Sequence, residues 1–239
     1  MEFKSHIPNA ITMLNLLCGT ISIILLFHGF YIEAALLVGL AAVFDFLDGL
    51  VAKLLNSKSL IGKELDSLAD VVSFGLAPAM FLFILMSKNE IVTSNNGVLQ
   101  FLPYLSLAIA VFSALRLAKF NLDTRQTVSF VGLPTPANAI FIISFSIIGL
   151  TANSLLPVIN QITANLWVEI IVIGIFSFLL VSEIPMFSMK FNKGYGFKIN
   201  AVKYSFLIIT LILILALGWS GIALSMLIYI IMSLIFTGK

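Results

Sequence analysis

Apolar runs of about 18 or more residues, the length that crosses a bilayer as a helix, follow one another almost from end to end of this 239-residue chain. Backbone polar groups inside lipid must bond within their own segment, so such a chain folds as an all-α, polytopic membrane helix bundle. Composition agrees: 60% of residues are hydrophobic, 10% are charged, and mean hydropathy is +1.13. Turn chemistry divides the runs at His28-Gly29, Asn56-Ser57-Lys58-Ser59, Ser94-Asn95-Asn96-Gly97, Asn192-Lys193-Gly194 and Gly218-Trp219-Ser220-Gly221. The resulting map has about eight transmembrane helices, at residues 11–29, 31–54, 62–87, 98–120, 133–152, 164–184, 201–217 and 220–236. Residues 154–163, with Pro157 among them, are expected to lie along the surface. The first run is read as an uncleaved span, because Thr12, Asn15 and Thr20 interrupt what a signal peptide would keep apolar.

Charge orients this map, since Lys and Arg collect in cytoplasmic loops. Lys4, Lys53, Lys58, Lys63, Arg116, Lys119, Arg125, Lys190, Lys193, Lys198, Lys203 and Lys239 share one side, and Lys88 lies opposite. The expectation is a multi-pass protein of the cell (inner) membrane with both termini in the cytoplasm. A formal charge of +2, with scattered basic residues, excludes a nucleic-acid partner. The single cysteine, Cys18, excludes an internal disulfide.

Against this background the run from Asp45 to Asp70 is anomalous. Asp45 and Asp48 are three residues apart at the inner end of the second span, and Asp66 and Asp70 are four apart at the start of the third. Each pair therefore projects from one helix face, and the short connection makes the two helices antiparallel neighbours. Four acids facing one cavity would repel one another, and an acid at mid-bilayer costs about 2.5–3.5 kcal/mol on insertion scales. Solvated helix ends paired with Lys53, Lys58 and Lys63 are one account. Divalent cations are the other, because carboxylates are hard ligands suited to Mg²⁺, Mn²⁺ or Ca²⁺. Gly49, Ala52 and Gly62 clear space beside the acids, and a metal next to open space suits a diphosphate. A spare carboxylate would then take the proton of an attacking hydroxyl.

The pattern Asp45-x-x-Asp48-Gly49-x-x-Ala52-Lys53, followed by Gly62-x-x-x-Asp66-x-x-x-Asp70, resembles the signature of the CDP-alcohol phosphotransferases. One position departs: Lys53 stands where that family usually has Arg, keeping the charge without the planar fork. The resemblance implies a six-helix core, here about residues 1–190 of a single catalytic domain spanning 1–239, with additional helices at about 201–236. It implies two divalent cations, Mg²⁺ or Mn²⁺, held by Asp45, Asp48, Asp66 and Asp70, with Asp70 as general base. It also implies a cytidine pocket lined by Gly49, Ala52 and Gly62, with Lys53 at its phosphate or packing contact, and a homodimer.

Asn9, Thr12 and Asn15 either bond helix to helix or face the nucleotide, the second being expected of Asn9 and Thr12. The flanking stretches at residues 7–19, 64–79, 116–121, 132–139 and 182–190 resemble the phosphatidylserine synthases of that superfamily. That implies CDP-diacylglycerol as donor and L-serine as acceptor, with glycerol 3-phosphate or inositol as alternatives. Arg116 is either a snorkelling anchor or a contact for a phosphate or carboxylate, and Ser73 is grouped with it as an acceptor or phosphate contact. Lys119 and Arg125 are read as surface anchors. A divalent-cation transporter is the rival from another class; Glu33, Glu90 and Glu169, scattered near the far ends, offer it no relay.

Overall fold

The computed structural model describes residues 2–57, 59–94, 97–122, 130–152, 154–186 and 197–236. Helices α1 (Glu2–Phe27) and α2 (Tyr31–Leu54) form an antiparallel hairpin that turns at Gly29, whose φ of +83° is left-handed backbone. Lipid tails give apolar helices no hydrophobic reason to associate, so this pair relies on close approach and hydrogen bonds. Ala34, Ala35, Val38 and Ala41 form a buried seam of small residues, and the Ser22 hydroxyl donates to the Ala34 carbonyl at 2.7 Å.

The third span is continuous from Leu60 to Ser87 but changes its winding. Helix α3 (Leu60–Asp70) passes into a π-helical turn (Val71–Leu76) and then α4 (Ala77–Ser87). Pro78, in the first turn of α4, has no N–H to offer the carbonyl four residues back. The ladder instead runs through the longer bond from the Ala77 N–H to the Val72 carbonyl. Beyond the short α5 (Glu90–Thr93), a 3₁₀ stretch (Val98–Leu107) leads into α6 (Ala108–Leu122).

Strand β1 (Phe130–Val131) pairs antiparallel with β2 (Pro185–Met186), clipping the entry of α7 (Thr135–Thr151) to the chain leaving α9 (Leu166–Val181). Helix α8 (Pro157–Thr163) is bent 71° from α9, the geometry of a broken span or a re-entrant segment. Helices α10 (Phe197–Leu217) and α11 (Trp219–Phe236) close the chain as a hairpin about Gly218 (φ +56°).

Helices occupy each of the eight expected stretches, and the protein is an all-α, polytopic membrane protein. The span count is narrower than expected. Among the described residues four helices meet the length and apolarity of a crossing, the α8–α9 pair makes a fifth if its two parts form one bent span, and α7, α10 and α11 are apolar but shorter. The causes are local: left-handed Ala152 (φ 49°) stops α7, and the non-helical backbone of Asn200 splits the start of α10. At 1.5 Å per residue the 17 residues of α7 reach about 25 Å, short of a hydrocarbon core of about 30 Å.

Two buried clusters hold the bundle. Phe74, Ala77 and Phe81 pack on the α1–α2 hairpin, while Leu82, Met86, Ile109 and Ile142 join α4, α6 and α7. Phe141 of α7 stacks on Phe176 of α9 with ring centroids 4.1 Å apart and planes 9° from parallel.

Candidate active site

The acids are brought together by the turn between α2 and α3. Asn56 takes left-handed backbone (φ 48°), the Ser57 N–H bonds the Ala52 carbonyl at 3.0 Å, and the Asn56 N–H bonds the Lys53 carbonyl at 3.3 Å. This double closure ends α2 with its last carbonyls satisfied. Ser59 then caps α3 by accepting the Gly62 N–H at 3.0 Å. The two helices are not the closely packed neighbours the short connection suggests: both lie against α1, and the turn leaves Asp45 and Asp48 of α2 facing Asp66 of α3.

One carboxylate oxygen from each of Asp45, Asp48 and Asp66 lies within 4.8 Å of the others. Asp45 is also within hydrogen-bond reach of both Asp66 and Asp70, so the fourth acid adjoins the group through Asp45. Asp48 and Asp70 are buried and the other two half-buried. At 4.8 Å, two full charges repel by roughly 3–4 kcal/mol at an effective dielectric of about 20. The side chains of α1 that meet them are neutral. Thr12 donates to Asp48 Oδ2 at 2.6 Å, and the Asn15 amide donates to Asp70 Oδ1 at 3.2 Å. Asp66 Oδ1 is buried with no hydrogen-bond partner among the described residues. Grouped hard oxygen donors, one of them orphaned, suit a divalent cation.

Beside the acids lies a cavity of about 490 Å³. Its walls include five of the six expected nucleotide contacts: Asn9, Thr12, Gly49, Ala52 and Gly62. A side chain at Gly49 would project into open space, whereas a Cβ at Gly62 would lie 2.9 Å from both Asn9 Oδ1 and Ser59 Oγ. Lys53 is the exception. It is exposed in the last turn of α2 and is not part of this wall, and its charge complements the negative end of the helix. Lys63 supplies the cation at the rim instead, with its ammonium 3.0 Å from the Asn121 carbonyl at the end of α6.

The residues grouped as acceptor contacts divide. Arg116 is buried rather than snorkelled: one guanidinium N–H donates to Thr135 Oγ1 at 3.3 Å, Nε has no partner among the described residues, and Asp70 lies within its electrostatic reach. Ser73 is fully buried and donates to the Asn15 carbonyl at 3.0 Å, so the structure places it behind Asn15, bracing the residue that holds Asp70. Of the two expected surface anchors, Lys119 is exposed and Arg125 falls outside the described residues, as do Lys58, Lys190, Lys193 and Lys239 of the orienting charges. Glu33 and Glu90 are exposed at the far end, but Glu169 is fully buried in the first turn of α9.

Sequence reasoning missed the two hydrogen bonds from α1 to the acids and the π turn behind Asp70. Thr12 and Asn15 were open to a helix-to-helix role, but nothing in their spacing names Asp48 and Asp70 as partners. Pro78 marks a missing N–H in the third span, but nothing in the sequence tells that it is answered by a wider turn beginning next to Asp70.

A bundle of apolar helices that gathers carboxylates beside a cavity at the helix ends defines a multi-pass membrane protein with an acidic centre. The chain belongs to the CDP-alcohol phosphatidyltransferase family, whose model matches residues 5–173. It is 38% identical over 192 residues to the CDP-diacylglycerol–serine O-phosphatidyltransferase of Mycobacterium leprae, covering 77% of this chain and 58% of that protein. It is 35% identical over 137 residues to the protein of the same name from Bacillus subtilis, covering 55% of this chain and 70% of the relative. An archaetidylserine synthase of Methanothermobacter thermautotrophicus is 36% identical over 145 residues, covering 60% of this chain and 58% of the relative. The match thus spans less than two thirds of the mycobacterial and archaeal relatives, and α10 and α11 lie beyond the family match.

Proposed function

We propose that the chain transfers the phosphatidyl group of CDP-diacylglycerol to the hydroxyl of L-serine and releases CMP. The observation that carries this reading is the acid cluster opening directly onto the cavity of Asn9, Thr12, Gly49, Ala52 and Gly62. The relatives named for a serine product support the acceptor.

Asp45, Asp48, Asp66 and Asp70 would hold the metal, two Mg²⁺ or Mn²⁺ ions per site. When bound, such ions polarise phosphoryl oxygens and offset the charge of a diphosphate. The protein's own residues do the rest. The cavity takes the cytidine end, with Gly49, Ala52 and Gly62 leaving room for it and Asn9 and Thr12 at its edge; Lys53 acts from outside the cavity wall. Asp70, aimed by the Asn15 amide, accepts the proton of the serine hydroxyl as that oxygen attacks the phosphorus bearing diacylglycerol. The bond from that phosphorus to the bridging oxygen breaks, its electron pair leaves with CMP, and Asp70 later gives its proton to water. Arg116 contacts the acceptor, and Ser73 supports the site through Asn15.

The whole of residues 1–239 is read as one catalytic domain, with α10 and α11 appended to a core ending near residue 190. Its acids and both termini face the cytoplasm at the inner membrane, and two copies associate as a homodimer.

Purified protein in detergent with CDP-diacylglycerol and Mn²⁺ or Mg²⁺ is expected to release CMP with L-serine, but not with glycerol 3-phosphate or inositol. Release with another acceptor would keep the acid chemistry and overturn the serine assignment. Silence with all three would overturn both. A second expected result concerns the cavity. Gly62→Ala places a methyl 2.9 Å from Asn9 Oδ1, so the KM for CDP-diacylglycerol should rise by roughly 10-fold, as for a 1–2 kcal/mol overpacking cost, with the KM for serine unchanged. Equal changes in both constants would mean that Gly62 does not face the nucleotide.

A further inference from the structure

Near Arg116 the structure holds a buried polar group that the reaction as described leaves without a task. Asn138 of α7 is fully buried, and neither its amide oxygen nor its amide nitrogen has a hydrogen-bond partner among the described residues. Buried amides are ordinarily paired, because an unmade hydrogen bond forfeits the hydration the group gave up. Asn138 lies three residues after Thr135, so the two side chains leave the same face of α7 one turn apart. Thr135 is the residue that accepts the Arg116 guanidinium at 3.3 Å, and Arg116 keeps its own unpartnered Nε and lies within electrostatic reach of Asp70. On α6, one turn before Arg116, the Ser113 hydroxyl is also buried without a partner among the described residues, packed where Gly75 of the π turn approaches it. Unmet donors and an unmet acceptor therefore sit on α6 and α7, the two helices packed against the turn that follows Asp70.

We infer that Asn138 and Arg116 together seat the head group of a zwitterionic amino-acid acceptor, the guanidinium taking its carboxylate and the Asn138 amide oxygen its ammonium. The inference rests on the serine reading above and adds a selective element to it. A guanidinium alone accepts any anion, including a phosphate. The amide oxygen takes a charge-assisted hydrogen bond from an ammonium, a donor that a phosphorylated alcohol lacks, so serine satisfies both groups of the seat more strongly. Thr135 is a positioning residue that fixes the guanidinium over this seat.

The test is steady-state CMP release at varied L-serine and at varied CDP-diacylglycerol, for the unaltered protein and for Asn138→Leu and Asn138→Ser, each checked for its melting temperature. Asn138→Leu is expected to raise the KM for serine by about 10-fold or more, the scale of a lost hydrogen bond to a charged group, with the KM for CDP-diacylglycerol within about twofold. Asn138→Ser, which retains one hydroxyl, is expected to raise the serine KM less, and it decides the matter if the leucine variant does not fold. A serine KM unmoved in a folded variant, or one that moves in step with the CDP-diacylglycerol KM, overturns the seat while leaving the reaction intact. Unaltered protein that releases CMP without regard to serine overturns the serine reading and this inference with it.

Discussion

Asp70→Asn is expected to lower CMP release by about 10²–10⁴-fold, the span typical of a lost general base, while CDP-diacylglycerol remains bound. The substitution is nearly isosteric, and the new amide oxygen can still accept the Asn15 N–H that now reaches Asp70 Oδ1 at 3.2 Å. Its NH₂ would face Asp45, a carboxylate already within hydrogen-bond reach, so the local bonding is conserved and the folded protein should be recovered in normal yield. What is lost is the ability to take a proton. Measuring CDP-lipid binding and turnover on the same preparation at saturating Mn²⁺ separates the two effects. Full turnover would remove Asp70 from the base role, and equal loss of binding and turnover would make it a metal ligand alone.

The second large effect falls on folding. A Cβ at Gly19 would lie 2.3 Å from Ser73 Oγ and 2.8 Å from Ser73 Cα, and a backbone atom in a packed helix has nowhere to retreat. Gly19→Leu should cost about 3 kcal/mol or more, the upper end for overpacking, by prising α1 from the π turn. Asn15, one turn earlier on α1, would be drawn from Asp70 with it, so the loss of stability should come with a loss of activity. Thermal unfolding in detergent is the check, with Gly174→Ala as the control, since no atom lies within 4 Å of a Cβ built there. An unchanged melting temperature in Gly19→Leu would mean that the approach of α1 is not tight.

Much of this architecture is legible in the residues. Apolar run length located the helices, and two aspartate pairs at helical spacing on either side of a short polar turn foretold one acidic centre. The clearance left by Gly49, Ala52 and Gly62 pointed to the cavity that borders it. The illegible parts depend on which helix faces which, and helical periodicity carries no information about that in a bundle apolar on nearly every face. So Thr12 and Asn15 could be flagged as polar residues needing partners, yet their pairing with Asp48 and Asp70 needed the fold. Ser73 was grouped with the acceptor contacts, but in the π turn its hydroxyl bonds the Asn15 carbonyl of α1. Asn138 was hidden for a different reason: an Asn after two prolines reads as the start of a helix, and only its missing partners mark it out.

The wide turn at Val71–Leu76 also sets a rotational phase. Each residue of an α-helix advances the chain by about 100°, so one residue more or fewer between Asp70 and α4 turns everything before it by that angle relative to everything after. Helix α4 is keyed to its neighbours by Phe81, Leu82 and Met86, which are fully buried and leave it no freedom to rotate. The aspartates of α3 point at Asp45 only because the surplus backbone of the π turn lies between the two faces. A chain shortened by one residue there would wind as a more regular helix and present Asp66 and Asp70 to a different neighbour.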